Sequence, residues 1–181
     1  MSRKLGDTNV EIGPVETLED RAGVFALRMA VFVEEQRVPP EEELDAYDVT
    51  ATHFLVRVHP EASDEHAKIV ATARIVDKCG GIGKIGRVAV LAEYRGLGLG
   101  AALMREIHQY AFRQGFRRLV LEAQCHAIPF YEKLGYAAEG AVFLDANIEH
   151  RHMWLVLPEG RSGCAASALP ETSSPQSAKG S

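Results

Sequence analysis

A short apolar run followed closely by three alternating glycines constrains the fold of this chain more than any other segment. Residues 88–90 have β-strand character, and the turn after them contains Gly96, Gly98 and Gly100 before an apolar pattern of helical spacing begins. A helix N-terminus after such a turn presents backbone N–H groups and a partial positive charge to an anion. Glycine suits this role because a side chain would hold a diphosphate away from the amides. The segment therefore predicts a pyrophosphate-binding turn.

The spacing of these glycines argues against two common nucleotide-binding motifs. A dinucleotide fingerprint requires Gly-x-Gly-x-x-Gly, and a P-loop requires Gly-Lys followed by Ser or Thr. The chain instead reads Arg-x-x-Gly-x-Gly, filled by Arg95, Gly98 and Gly100. A turn without a ligand is the alternative, and it is disfavoured because alternate glycines weaken folding unless something requires them.

Composition limits the class of protein. The chain has 181 residues, of which 46% are hydrophobic and 25% charged, as expected for one soluble domain. A net charge of −5 disfavours a nucleic-acid partner. No apolar stretch is long enough to cross a membrane, and the first residues do not resemble a signal peptide, so we expect a cytoplasmic protein. Three scattered cysteines without a Cys-x-x-Cys pair predict reduced thiols and no metal site.

Hydrophobic periodicity predicts a single-domain α/β fold with a mixed curved sheet and the element order β-α-α-β-β-β-α-β-α-β-β. The predicted strands cover residues 10–15, 53–59, 68–76, 84–90, 119–121, 141–144 and 153–157. The predicted helices run from a Thr17 N-cap to 33–37, from Pro40, from the glycine turn to Gly115, and over 126–134. Residues 1–157 are predicted to form the domain, and 158–181, rich in Gly, Ser, Ala and Pro, a flexible tail.

A second informative segment follows Ala127 and reads Phe-Tyr-Glu-Lys-Leu-Gly-Tyr over residues 130–136. Together with the glycine turn, roughly 30 residues earlier, it resembles the two signatures of the GCN5-related N-acetyltransferase (GNAT) family, and the resemblance covers roughly residues 8 to 157. Residues 31–36 and the pattern His150-x-x-Met153 are similar to the ElaA-like branch of that family. Gln124 departs from the pattern, since many members have asparagine there.

The resemblance implies the GNAT fold and an acetyl-CoA-dependent N-acyltransferase that uses no metal. It implies that the strand before the turn diverges from its neighbour and pairs with the pantetheine arm, while the turn holds the pyrophosphate. The implied CoA-binding residues are Val88, Ala89, Val90, Arg95, Gly96, Leu97, Gly98, Leu99, Gly100, Ala101, Gln124 and Ala127.

The resemblance also implies that Tyr131 is the general acid that protonates the departing thiolate, a role that an ordinary tyrosine pKa of about 10 suits. A protonated amine must lose a proton before it attacks, so a base is needed as well. The candidates are Glu34, Glu35, His53, Glu122 and His150, with Glu34 and Glu122 preferred. Direct transfer is favoured over an acyl intermediate on Cys125, because no base and orienting partner lie at a motif spacing from that thiol.

The predicted acceptor is a primary amine of a small molecule or a protein. The acidic residues of segment 34–45 favour a cationic amine, with a solvated helix face as the alternative. Two rival functions are a non-catalytic acyl-CoA-binding module and a nucleotide-binding protein with the same turn. Neither a nucleic acid nor a membrane is expected as a partner, and the sequence leaves the oligomeric state open, a homodimer being one option.

Overall fold

The computed structural model describes residues 2–5, 8–59 and 67–158. Its strands are β1 (Ser2–Leu5), β2 (Thr8–Pro14), β3 (Thr52–His59), β4 (Lys68–Asp77), β5 (Ile82–Val90), β6 (Arg118–Gln124), β7 (Ala137–Asp145) and β8 (Ile148–Val156). Within the described ranges these eight strands form one sheet in the order β1-β2-β3-β4-β5-β6-β8-β7. Neighbours are antiparallel except β5 and β6, which are parallel, so the predicted mixed sheet is confirmed.

The helices also follow the predicted order. They are α1 (Leu18–Arg28), continued by a π-helical segment (Met29–Glu35), α2 (Pro40–Glu43), α3 (Leu99–Arg113) and α4 (Ile128–Glu132). Short 3₁₀ turns cover Ala46–Val49, Ala92–Tyr94 and Cys125–Ala127. Strand β1 was not predicted, and the tail proposed for 158–181 lies outside the described residues apart from Pro158, so it stays a prediction.

Local sequence signals account for the start of α1. The Thr17 side chain accepts a hydrogen bond from the Asp20 N–H at 3.0 Å, as predicted for an N-cap. Glu19 and Asp20 lie in the first turn and Arg28 in the last, where each charge complements the helix dipole.

Two helices cover opposite faces of the sheet. The apolar side of α3, with Leu103, Met104 and Ile107 fully buried, packs on the main core formed by β2 to β6. Helix α1 contacts β3, β4 and β5 from the other side, and its continuation packs Val31 in a second, smaller cluster with Ala89. Beyond β5 this second face is less covered, and Glu122 on β6 is only half-buried there.

A buried ion-pair network joins α1, α2 and the sheet. Arg28, with no exposed surface, donates to Glu43 at 2.5 Å and to Asp48 at 2.7 Å. Arg74 donates to Asp48 at 2.5 Å and holds Asp45 through two bonds of 2.5 and 2.8 Å. Burial alone would raise the pKa of Asp48, but hydrogen bonds from both arginines outweigh burial and hold that pKa far below its ordinary value.

The network corrects one expectation about the acceptor. Glu43 and Asp48 are buried, and the carboxylate of Asp45 is paired with Arg74, so these charges are already neutralised. The expectation that the acidic segment attracts a cationic amine is therefore wrong for Glu43 and Asp45. Of the run 41–43, only Glu41 and Glu42 are exposed.

The same network holds a β-bulge in β5. Thr72 pairs with Ala89 but Arg74 pairs with Gly86, so residues 87 and 88 together oppose Ala73. Arg87 has a φ of 54°, a conformation that is costly for a residue with a side chain. Its guanidinium lies 2.8 Å from the Glu43 carboxylate, and it donates to the Glu42 carbonyl at 2.8 Å. These contacts stabilise a backbone conformation that the strand alone would not adopt.

Removing one partner of this network is expected to destabilise the fold strongly. Arg28→Ala leaves the three carboxylates of Glu43, Asp45 and Asp48 facing only Arg74 and Arg87, so one largely buried negative charge stays uncompensated, which costs about 3–5 kcal/mol. The free energy of unfolding, measured by urea titration, should fall by that amount, whereas Arg105→Ala on the exposed side of α3 should change it by less than about 0.5 kcal/mol. Equal stabilities of the two variants would contradict the importance of the network.

Candidate functional site

Strands β5 and β6 pair over only three positions. Ile82, Gly83 and Lys84 lie beside Arg118, Leu119 and Val120, and the ladder stops there. Strand β6 instead pairs with β8 along its full length, while residues 85–90 of β5 keep a partner only in β4. The two strands therefore diverge, as the family resemblance implied. The side of β5 that faces away from β4 offers backbone groups to an extended ligand.

The divergence opens a cleft of about 1200 Å³. Because β5 runs from Ile82 to Val90, the glycine turn and Lys84 lie at opposite ends of its wall. The glycine end is lined by Arg95, Gly96, Gly98, Leu99, Gly100 and Ala101. We call the other end the far arm, and it is lined by Asp45, Tyr47, Arg74, Lys78, Lys84, Arg87 and Glu122. His150 lies beside Gln124 at the carboxyl end of β6, and Asp145 lies beyond it; both also line the cleft. Most of the other predicted CoA-binding residues also line the cleft: Val88, Ala89, Val90, Gln124 and Ala127. Leu97 does not.

The glycines of the turn serve two different purposes. Gly96 and Gly98 have φ values of 78° and 76°, which side chains rarely adopt, and Gly98 is the N-cap of α3. Gly100 has no such backbone requirement, but an added Cβ would lie 3.4 Å from Val90 and 3.6 Å from Phe130. The 15-residue helix α3 thus begins at the cleft with its first N–H groups free of side-chain caps.

Arg95 closes the turn rather than pointing a free charge at the cleft. Its Nε donates to the Val90 carbonyl at 2.9 Å, and its two terminal nitrogens each donate to the Glu35 carboxylate at 2.7 Å. The bidentate pair lowers the pKa of Glu35 and raises that of Arg95. Arg95 therefore links the π-helical segment to the end of β5.

A second link starts from Gln36, the residue directly after the π-helical segment. The Gln124 side-chain amide, on the last residue of β6, donates to the Gln36 side-chain oxygen at 2.8 Å. Glu35 and Gln36 thus reach the two diverging strands, Glu35 through Arg95 and Gln36 through Gln124. The sequence did not indicate this bridge, because the two glutamines lie 88 residues apart.

Tyr131 lies in the cleft wall with its ring buried. It is 8% exposed, and its ring packs edge-on against Phe130 and Tyr136. Its hydroxyl makes no hydrogen bond to another described residue, yet it is not among the fully buried unpaired atoms, so it is open to the cleft. Burial raises the pKa of Tyr131 to about 12, which keeps the hydroxyl protonated.

The five predicted base candidates fall in different places. Glu34 is exposed and does not line the cleft, and His53 is buried beside the ion-pair network with its Nε2 3.2 Å from the Asp48 carbonyl. Glu35 is held by Arg95 as described above. Glu122 lines the far arm, where Lys84 holds its carboxylate at 2.8 Å.

His150 is the remaining candidate, and its hydrogen bond defines its tautomer. Its Nδ1 lies 2.8 Å from the Ile148 carbonyl, which can only accept, so Nδ1 carries the hydrogen of the neutral ring. The lone pair of Nε2 is then free. The residue is 9% exposed and lines the cleft beside Gln124, and Nε2 is not among the fully buried unpaired atoms. In its neutral form, His150 therefore presents Nε2 to the cleft as a proton acceptor.

Three further features bear on function. Among the described residues, no group of three or more His, Cys, Asp or Glu side chains could hold a metal ion. No helix in the described part of the chain is long and apolar enough to cross a membrane. Cys125 is half-buried and does not line the cleft.

Comparisons with known proteins agree with this geometry. The acetyltransferase (GNAT) family model matches residues 22–136. YjcF of Bacillus subtilis, an uncharacterized N-acetyltransferase, is 37% identical over 139 residues, which cover 76% of this chain and 91% of YjcF. Escherichia coli ElaA superimposes with a TM-score of 0.68 at 26% identity, covering 80% of this chain and 98% of ElaA. An acyl-CoA N-acyltransferase from Pseudomonas aeruginosa gives a TM-score of 0.67 at 28% identity, covering 82% and 99% of the two chains.

Two glycine variants can distinguish a ligand-binding role of the turn from the backbone strain that any side chain would cause there. Gly98 and Gly115 both have a positive φ, 76° and 80°, with nothing within 4 Å of an added Cβ, but only Gly98 lines the cleft. Valine at either position should cost about 1–3 kcal/mol in the free energy of unfolding. Calorimetric titration with CoA should show at least about tenfold weaker binding for Gly98→Val alone, which corresponds to about 1.4 kcal/mol. Unchanged affinity in Gly98→Val would contradict a backbone cradle at this position.

Proposed function

The chain belongs to the GNAT family of acetyltransferases, and from this premise we propose that it transfers an acetyl group from acetyl-CoA to a primary amine of a small molecule or a protein. The observation that carries the proposal is a single cleft that joins a helix N-terminus with a glycine turn to the hydroxyl of Tyr131. The enzyme is an acyltransferase, and our proposal adds acetyl-CoA as the donor and an amine as the acceptor. It keeps the cytoplasmic location expected from the sequence.

The shape of the cleft supports CoA as the donor. The pyrophosphate would lie on the N–H groups of the turn and the first residues of α3. The pantetheine arm would extend along the unpaired side of residues 88–90 and bring the thioester towards Tyr131. The acceptor would then enter through the far arm.

The proposed reaction needs one acid and one base. The acceptor ammonium gives a proton to the base, and its nitrogen attacks the thioester carbonyl carbon, so that a C–N bond forms and the C–S bond breaks. Tyr131 protonates the departing thiolate and recovers a proton from the nitrogen through water. The products are an amide, free CoA and one proton released to solvent. A hydroxyl that stays protonated at neutral pH suits the donor role.

We propose His150 Nε2 as the base in preference to the two glutamates favoured from the sequence. Glu122 lines the cleft, but its carboxylate is already occupied by the Lys84 ammonium at 2.8 Å. Glu34 does not line the cleft. The imidazole of His150, in its neutral form, has a free Nε2 lone pair inside the cleft, which the reaction requires.

Tyr131→Phe tests the acid. Loss of the proton donor should lower kcat by about 10²–10⁴-fold, measured as thiol release from acetyl-CoA with a panel of amines. The dissociation constant for CoA should change little. Tyr136→Phe is the matched control, because its hydroxyl bonds His108 at 2.9 Å and it does not line the cleft, so its kcat should stay near that of the wild type. Tight CoA binding without turnover on any amine would favour a non-catalytic acyl-CoA-binding module instead.

His150→Ala tests the base through chemical rescue. The variant should lose about 10²–10⁴-fold in kcat, and added imidazole should restore part of that rate by accepting the proton in solution. A merely structural role would show no rescue. Glu122→Gln should lower the rate less and should not respond to imidazole. Rescue of neither variant, with a larger loss in Glu122→Gln, would assign the base to Glu122.

A further inference from the structure

Gly86 lies in the middle of β5, and the register of the sheet fixes the face to which a side chain there would point. Ile85 is fully buried in the main core with α3, and side chains alternate along a strand, so position 86 points to the opposite face. Arg74 lies directly across the ladder from Gly86 and agrees with this direction, because its guanidinium reaches Asp45 and Asp48 on the side of α1 and α2. A side chain at position 86 would therefore point away from α3.

Neither the backbone nor the packing requires glycine at position 86. Its φ is not one of the positive values that side chains rarely adopt. Apart from its two chain neighbours, no atom of a described residue lies within 4 Å of an added Cβ. At Gly83, by contrast, an added Cβ would lie 2.8 Å from Ile75 in the core. Because glycine inside a strand weakens folding, the missing side chain of Gly86 indicates space that is needed for a ligand.

The empty space over Gly86 is part of the cleft. Gly86 lines the cleft between Lys84 and Arg87 of the far arm. Lys84 reaches Glu122 at 2.8 Å and so spans the two strands at the point where their ladder stops, whereas Arg87 turns to the Glu43 carboxylate at 2.8 Å. Each of these charges already has a partner, so the space selects its occupant by shape rather than by charge.

The two substrates would reach this part of the cleft from opposite faces of the sheet. Tyr131 and Leu99, the first residue of α3, both belong to the main core, on the face where the donor would be held. The space over Gly86 opens to the other face. Gly86 also lies two residues before Val88, about 7 Å along the strand from the point where the proposed pantetheine path ends. The space is therefore close to the thioester and on the side of the acceptor.

We propose that Gly86 is a specificity-determining residue, and that the space left by its missing side chain receives a substituent on the carbon that bears the acceptor nitrogen. The acceptor is then an amine on a branched carbon, R₂CH–NH₂, rather than on a CH₂ group. This inference rests on the proposed function, since it describes the second substrate of the same cleft. Any acceptor must bring that carbon beside the thioester, so a wall without a side chain at this point admits the second substituent.

The test compares amines that differ by one methyl group on the carbon that bears the nitrogen. Thiol release from acetyl-CoA is measured for ethylamine and isopropylamine, for propylamine and sec-butylamine, and for benzylamine and 1-phenylethylamine. The measured quantity is the ratio of kcat/KM for the branched amine to kcat/KM for its unbranched partner. The wild type should favour the branched amine of each pair by about tenfold, because the extra methyl group fills the space over Gly86.

Two substitutions fill this space in steps. Gly86→Ala should lower the ratio about tenfold and Gly86→Val should lower it further, because each side chain takes the place of the methyl group. The free energy of unfolding in urea should not fall for either variant, since both residues suit a strand better than glycine does. Gly13→Val is the matched control. Gly13 lies in β2 with no atom of a described residue within 4 Å of an added Cβ, but it does not line the cleft, so the wild-type ratio should be kept.

The outcomes separate this inference from the proposed function. A wild type that prefers the unbranched amines, or a ratio that neither Gly86 variant changes, would overturn the branched acceptor and leave the acetyltransferase intact. If the Gly86 variants instead lose only the transfer of propionyl and butyryl groups to ethylamine, the space holds the acyl chain and the inference is overturned as well. Binding of CoA without thiol release for any amine would overturn both. A ratio that falls from Gly86→Ala to Gly86→Val and is kept in Gly13→Val establishes the role of Gly86.

Discussion

The early end of the pairing between β5 and β6 is the constraint on which the site depends. Parallel strands in the middle of a sheet normally satisfy each other's backbone groups, and here they do so at three positions only. The remaining backbone on the open side of β5 needs another partner. That requirement turns the centre of the sheet into a binding cleft, with the helix N-terminus of α3 at one end and the far arm at the other.

The buried ion-pair network fixes α1 and the acidic segment 43–48 against the face of the sheet on which the cleft opens. Ion pairs of this kind contribute little net stability relative to an apolar core, but they favour one arrangement because a misplaced charge would be left unpaired. Here they connect Arg28 of α1 to Glu43 and Asp48, and Arg74 and Arg87 of the sheet to the same acidic segment. The network therefore positions the bulge at Arg87 and neutralises the carboxylates of Glu43, Asp45 and Asp48.

Much of the fold could be predicted because its signals are local. The Thr17 cap, the order of the helices and strands, and the helix after the glycine turn depend on neighbours in the sequence. The last two strands were predicted at 141–144 and 153–157 but cover Ala137–Asp145 and Ile148–Val156. The apolar alternation that predicts a strand is weak there, because many side chains of both strands face solvent. His152, for example, has a side chain that is 60% exposed. β1 was missed because Ser2–Leu5 is short and carries two basic residues.

The sequence by itself determined the family, the order of the helices and strands and the position of the glycine turn, because these are carried by two short motifs and by local periodicity. Tertiary structure alone decided what each carboxylate and imidazole can do. Glu34 and Glu35 are adjacent in the sequence, yet only Glu35 pairs with Arg95. Glu122 and His150 both line the cleft, but only Glu122 is paired with a cation, Lys84. Such properties depend on pairs that are distant in sequence, and only the register of the sheet brings them together.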